Sequence, residues 1–342
     1  MASTKRKKRK PSSSLLSRRQ SHAPSSISTS AAASTKPLPS KLSRRLIRSH
    51  HTTQKRLHQA LQQNDTASIA ALTSSITSAG GLAAYQRASV SGQSSKRGGD
   101  TSKVLVSWFL DLGISKPPSK TTSNSDDDDQ DVKNIYQPRL LEIGCLSPAN
   151  AIHSFFPRPY RTLMDLNSLH PEILAQDFMT FPVPVSPQPG PLAADSLKQG
   201  EEEEEEEEGG GGYDIISCSL VLNYVPTPAA RGEMLKRIAR FANHSLLLQR
   251  HQRHRRRTPT PAVFPALFLV LPAPCVTNSR YLTEDHLQAI MAALGYELLR
   301  RKMSPKLAYY LWRYTGPGTS ETFKKVELQP GGKRNNFAIV LE

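Results

Sequence analysis

Apolar residues with a helical period first appear past position 40 in this chain. Between 41 and 61, Leu42, Leu46, Ile47, Leu57 and Leu61 fall near one face of a helix, with Arg44, Arg45, Arg48, Lys55 and Arg56 around it. His50 and His51 read as part of that solvated face. Asp65 is placed to cap a second helix with the stripe Ile69, Leu72 and Ile76, ending at Gly80-Gly81. Residues 81–89 are less regular. Gly98-Gly99-Asp100 then opens a third helix, whose Val104, Leu105, Trp108, Phe109 and Leu112 make a buried face and which Gly113 stops. The pattern predicts a small helical domain over 41–113, followed by a Pro, Ser, Asn and Asp-rich linker at 114–134.

From 135 the pattern changes to short apolar runs alternating with helical stripes. Strands are expected at 139–144, 160–165, 173–178, 213–222 and 267–272, with the last candidates at 296–301, 308–314 and 337–341. Helices are expected at 147–155, at 227–241 with a possible extension to 248, and after Thr283, which has Glu284 and Asp285 in its first turn and Gly295 beyond its end. Alternation of this kind predicts an α/β domain over 135–342, with a mostly parallel sheet covered on both faces. Two inserts interrupt it. Residues 182–212 carry prolines and eight consecutive glutamates followed by a run of four glycines, a composition that cannot bury apolar area. Residues 249–262 are Gln, His, Arg and Pro; His251 and His254 have no cysteine or carboxylate nearby and read as a basic surface loop.

Composition sharpens this picture at the N-terminus. The chain has 342 residues, only 37% of them hydrophobic, and a formal net charge of +16. The deficit of apolar residues is local: residues 1–40 are rich in Ser, Lys, Arg and Ala and are expected to be a disordered basic tail. Lys5-Arg6-Lys7-Lys8-Arg9-Lys10 before Pro11 reads as a nuclear localisation signal, with RNA contact as a second use of the same charges. Outside the tail and the charged inserts the folded part remains basic, which points to a polyanionic partner, nucleic acid first. There is no apolar run long enough for a spanning helix, and the N-terminal charge is not followed by an apolar signal core, so no membrane is expected. Cys145, Cys218 and Cys275 are odd in number and far apart; they fit reduced thiols and give no metal-ligand spacing.

Candidate chemistry gathers at the strand ends. Leu140-Leu141-Glu142-Ile143-Gly144-Cys145 runs from an apolar strand into an acidic residue and a glycine, where the backbone can turn tightly against a ligand. A lone glycine does not make the G-x-G-x-x-G loop of a dinucleotide pyrophosphate site, but it suffices for S-adenosylmethionine, which has no phosphate to cradle. Asp165 ends the second strand, where a carboxylate can accept from ribose hydroxyls. Asp177, beyond the third, is placed either for an adenine amino group or as a turn or cap residue.

These segments together resemble the fungal 25S rRNA adenine-N1 methyltransferases. The resemblance rests on Leu141-Glu142-Ile143-Gly144-Cys145-Leu146-Ser147, Met164-Asp165-Leu166-Asn167, Gln176-Asp177-Phe178, Ser219-Leu220-Val221-Leu222-Asn223-Tyr224-Val225-Pro226, the run 269–281, and Gly98-Gly99-Asp100 with its helix. It covers about 80–342 apart from the inserts. It implies a class I, Rossmann-like methyltransferase domain with a seven-stranded, mostly parallel sheet, using S-adenosyl-L-methionine to methylate N1 of an adenine in large-subunit rRNA, free or in a pre-ribosomal particle, in the nucleolus. By the same resemblance Gly144 lies against the cofactor, Asp165 takes its ribose hydroxyls and Asp177 its adenine. Ser219, Asn223 and Tyr224 occupy the loop where the target base meets the methyl group. Adenine N1 carries an in-plane lone pair, so no strong general base and no metal is required; the base must be unpaired or flipped, and Tyr224 could stack on it or pack under the sheet. Asn223-Tyr224-Val225-Pro226 is not the Asn-Pro-Pro-Tyr of exocyclic-amine methylases, which disfavours N6 as target. Two rivals remain at this stage. Animal relatives resemble S-adenosylmethionine sensors that act through protein partners in growth signalling, though such a sensor has no use for the basic tail and helix; the other rival is a methyltransferase for protein or small molecules.

Overall fold

The computed structural model describes residues 38–92, 99–117, 137–168, 170–184, 211–246 and 262–342. The basic tail and most of the linker and of both inserts lie outside the described residues. Residues 38–342 form one compact unit.

Its centre is a seven-stranded sheet in the order β3-β2-β1-β4-β5-β7-β6. The strands are β1 (Leu140–Ile143), β2 (Arg161–Asp165), β3 (Leu174–Ala175), β4 (Ile215–Ser219), β5 (Ala266–Pro272), β6 (Tyr296–Met303) and β7 (Leu307–Tyr314). The first five pair in parallel, and β7 runs antiparallel between β5 and β6. This is the mostly parallel α/β sheet expected of a class I methyltransferase. The chain reverses its direction of travel across the sheet between β1 and β4, which places a ligand crevice outside their carboxyl ends.

Successive strand residues point to opposite sides, and in the central strands β1, β4 and β5 both sides are buried, while the edge strands β3 and β6 are largely exposed. Leu141, Ile143, Ile216, Cys218, Leu267 and Leu269 pack on α5 (Pro228–Arg240) and on α7 (Glu284–Ala293), which follows the single turn α6 (Pro274–Thr277). Leu140, Ile215, Ala266 and Phe268 point the other way, onto Leu105, Trp108 and Phe109 of α4 (Ser102–Asp111) and Phe155 of a 3₁₀ turn at Ala151–Phe155. Thr227 and Thr283 cap α5 and α7 through their side-chain oxygens, Thr283 as its position before Glu284 and Asp285 predicts.

The remaining helices, α1 (Ser40–Gln62), α2 (Thr66–Ser78) and α3 (Gly81–Gly92), pack on one another. Asp65 caps α2 at Ser68 N. Several expectations need correction. Residues 81–89 are a regular helix: Ala83, Ala84 and Ala88 favour it and α1 supplies the partner face. The helix at 102 does not join the α1–α3 layer, since its aromatic face belongs to the sheet core. The strand expected at 173–178 shrinks to the exposed pair Leu174–Ala175, the helix at 147–155 is only a 3₁₀ turn, and α5 stops at Arg240. Finally, 337–341 is not a sheet strand. Its apolar residues are buried because the segment crosses α5, with Val340 N donating to Pro228 O and a single bridge joining Leu341 to Phe323.

Candidate active site

Strand register brings the expected residues together. Ile143 is paired with Met164 on one side and Cys218 on the other, so the next residues, Gly144, Asp165 and Ser219, end three adjacent strands side by side. Gly144 has φ +76°, and a Cβ there would lie 2.3 Å from Cγ2 of Val221. Only glycine lets β1 turn this closely past the loop after β4. The amides of Gly144 and Cys145 both donate to Met164 O, at 2.8 and 2.9 Å.

Asp165 accepts from Asn167 N through Oδ1 at 2.9 Å, and burial raises its carboxyl above the usual range. Gln176 N donates to Asp165 O, which brings the β3 end alongside. Asp177 itself is exposed and accepts from Met179 N at 2.9 Å, so the turn role is present; it occupies one carboxylate oxygen only. Ser219 Oγ lies 2.8 Å from Thr101 Oγ1, tying the end of β4 to the start of α4. Asp100, next to Thr101, accepts from Ser102 N and from Ala151 N, linking α4 to the segment after β1.

The chain leaves β4 through Leu220, a non-glycine residue at φ +58°. Strain of this kind persists only where surrounding structure enforces it, and it clusters at binding sites. A 3₁₀ turn at Leu222–Tyr224 follows. Asn223 Oδ1 is buried there without a hydrogen-bond partner, a condition that costs free energy until a donor arrives. Burial raises the Tyr224 phenol, against the opposing effect of the Asn223 amide.

Residues read from sequence as a solvated face complete the site. His51 does not face solvent: its ring stacks on Tyr224 with centroids 3.6 Å apart and planes 15° from parallel. Its Nε2 lies 3.1 Å from Tyr85 Oη, and His50 stacks on Tyr85 at 4.5 Å. Burial, with His50 and Lys55 nearby, depresses His51 to about 3, so it is neutral at pH 7. Burial likewise pushes Tyr85 up to about 12, with Tyr224 and Asp165 close enough to add to the shift. The Gln86 amide donates to Asn167 O beside Asp165. Lys55 Nζ reaches Asn223 O at 3.4 Å, and its ammonium is pulled down by burial and then by Arg231. Arg231 is buried, spends its guanidinium on the carbonyls of Val225, Pro226 and Ala338, and stacks on Phe337. The helix period of α1 was legible; that its polar side lies on the sheet edge was not.

Glu142 holds the base of the site. Its buried carboxylate accepts from Asn150 Nδ2 at 2.7 Å and from His153 Nε2, while His153 Nδ1 donates to Pro148 O at 2.8 Å. With both ring nitrogens against oxygen acceptors, the imidazolium form of His153 is favoured: burial lowers its pKa, but the hydrogen bond and charge of Glu142 more than offset this and raise it. Cys145 Sγ comes within 4.8 Å of these two residues, so the trio has metal-ligand types. Its atoms are already engaged, the thiol with Ser147 O and held protonated by burial.

A family model described as 25S rRNA (adenine(2142)-N(1))-methyltransferase, Bmt2, matches residues 70–189 and 195–339. The chain belongs to this family. A 25S rRNA adenine-N(1) methyltransferase of Schizosaccharomyces pombe is 34% identical over 261 residues, 76% of each chain. A 25S rRNA (adenine(2142)-N(1))-methyltransferase of Saccharomyces cerevisiae is 31% identical over 270 residues, 78% of this chain and 61% of that one. Among solved structures, the N-terminal domain of EvdMO1 with SAH bound overlaps 51% of this chain and 73% of its own at 13% identity, with a TM-score of 0.26, too small an overlap to inform the site. As a Bmt2-family methyltransferase the chain uses S-adenosyl-L-methionine, and the residues fit it: a glycine where a methyl group would clash, a carboxylate at the end of β2 with one oxygen to spare, and a loop after β4 whose buried Asn223 Oδ1 lacks a donor.

Proposed function

We propose that the chain methylates N1 of an adenine in 25S rRNA. The observation that carries this reading is the unpartnered Asn223 Oδ1 beside Tyr224, at the strand ends of a chain whose family is defined by that reaction. The cofactor supplies a methyl group on a sulfonium, a leaving group that needs no proton. Gly144 and Asp165 would hold it, with Asp177 and Ser219 at its flanks. An adenine laid on Tyr224 presents its N6 amino group as the donor Asn223 Oδ1 lacks, and guanine, with an oxygen at that place, cannot donate there. Its N1 lone pair then attacks with no base required, so the chain's contribution is orientation and exclusion of water. The family match favours this enzyme over a cofactor sensor. The basic patch 5–10 supports import into the nucleus and work on pre-ribosomes in the nucleolus.

The test is transfer from labelled S-adenosylmethionine to large-subunit rRNA lacking the endogenous mark, with digestion to nucleosides. Label in 1-methyladenosine is expected; label in N6-methyladenosine, or cofactor binding with no transfer to rRNA or pre-ribosomes, contradicts the proposal. Asn223→Ala should lower kcat/KM roughly tenfold to a hundredfold with cofactor affinity kept, as loss of one buried hydrogen bond predicts.

A further inference from the structure

Helix α1 carries Lys41, Arg44, Arg45, Arg48, Lys55 and Arg56 and no acidic residue. None of these cations takes part in an ion pair among the described residues. For the exposed arginines that is ordinary for a solvated face. Lys55 is different: it is half-buried, its ammonium is destabilised by burial and by Arg231, and its polar contact is the carbonyl of Asn223 in the acceptor loop. Two cations, Lys55 and Arg231, thus lie close together at the mouth of the site with no carboxylate paired to either. A charge held so invites an anion. One turn before Lys55, on the same helix face, His51 covers Tyr224 in the geometry that a stacked nucleobase would adopt. Arg48 and Arg44 continue this stripe outward, about 16 Å from Arg44 to Lys55 by helix rise, into solvent.

We propose that α1 is the clamp for the acceptor RNA strand, with Lys55 binding the phosphate next to the target adenine and His51 holding the face of Tyr224 that the adenine takes over. The helix travels with the exchange: when the base displaces His51, the ring that held α1 against the site is released while Lys55, Arg48 and Arg44 gain backbone phosphates. This rests on the rRNA reading above and names the residues that would receive its substrate.

The full-length protein is assayed for methyl transfer to unmodified large-subunit rRNA over a range of salt concentrations, alongside titration with S-adenosylmethionine alone. Lys55→Ala should raise KM for RNA about tenfold and flatten the plot of log affinity against log salt by about 0.7, the share of one phosphate on a single strand, with Lys55→Arg restoring most of both. His51→Ala should lower KM for RNA about threefold to tenfold, since nothing need be displaced; His51→Phe, which keeps a ring on Tyr224, should match or exceed the wild-type KM. Cofactor affinity should stay at the wild-type value in all four, which also shows that each variant is folded. An unchanged salt slope in Lys55→Ala, a raised KM in His51→Ala, or equal falls in KM for the Ala and Phe variants would overturn the clamp. A wild-type protein that transfers no methyl to RNA would overturn the function itself, a separate result.

Discussion

Gly144 shows how narrowly single positions are constrained here. Gly144→Ala must place a Cβ against Val221 at φ +76°, so it is expected to cost about 1–3 kcal/mol of stability and to weaken S-adenosylmethionine binding at least tenfold. Chemical denaturation and calorimetric titration check the two parts, and unchanged cofactor affinity would remove Gly144 from the site. His51 makes a prediction about pH. Its folded-state pKa of about 3 lies below the ordinary 6.5, so the unfolded chain binds the extra proton between these values. The stability that neutral His51 contributes is therefore present above about pH 6.5 and is lost as pH falls toward 3. Its neighbours His50, Lys55, Tyr85 and Tyr224 offer no carboxylate to rescue the charge. Melting temperature should drop further between pH 7 and 5 in the wild type than in His51→Gln; equal drops would show that His51 is not held neutral. The sequence made Gly144 and Asp165 legible, because a glycine and a carboxylate at strand ends carry their own signal. His51 was not, since nothing in a His-His pair on a basic helix says which ring is covered by tertiary contact.

At the scale of elements, the buried pair of Glu142 and His153 fastens the 3₁₀ turn at Ala151–Phe155 to β1. Glu142→Ala leaves an imidazolium without its carboxylate and should cost about 3–5 kcal/mol in urea unfolding. A loss below 1 kcal/mol would mean that the pair is dispensable. The sign of its pH dependence is opposite to that of His51: His153 is raised, so its contribution is full below about pH 6.5 and fades as pH rises through the folded-state value. Strands β1, β4 and β5 were legible within a few residues because two-sided burial leaves largely apolar runs, and β2 through its Leu163-Met164 pair ending on Asp165. The segment 337–341 misled for the same reason: burial on α5 produces an apolar run without any strand partner. The α4 helix was read correctly as a helix but assigned to the wrong layer, because a buried face does not name what buries it.

The whole molecule places a basic helical layer over the carboxyl edge of a methyltransferase sheet, and the two carry different parts of the work. On the reading proposed here, the sheet edge would hold the cofactor, while Tyr224 in the loop after β4 would carry the base and α1 the positive charge; the structure itself places His51 on Tyr224 and Lys55 on the Asn223 carbonyl. Removal of residues 1–37 should leave cofactor affinity within about twofold while reducing nuclear accumulation of a fluorescent fusion; normal accumulation would refute the import role of 5–10. The most direct measurement of the central claim is to treat unmodified large-subunit rRNA or pre-ribosomes with the protein and S-adenosylmethionine, then map the product by primer extension. A methyl at N1 blocks Watson-Crick pairing, so one new stop at a single adenine is expected, absent with Asn223→Ala at matched short times. Full-length extension with label incorporated elsewhere, or no incorporation into either RNA form, would contradict it.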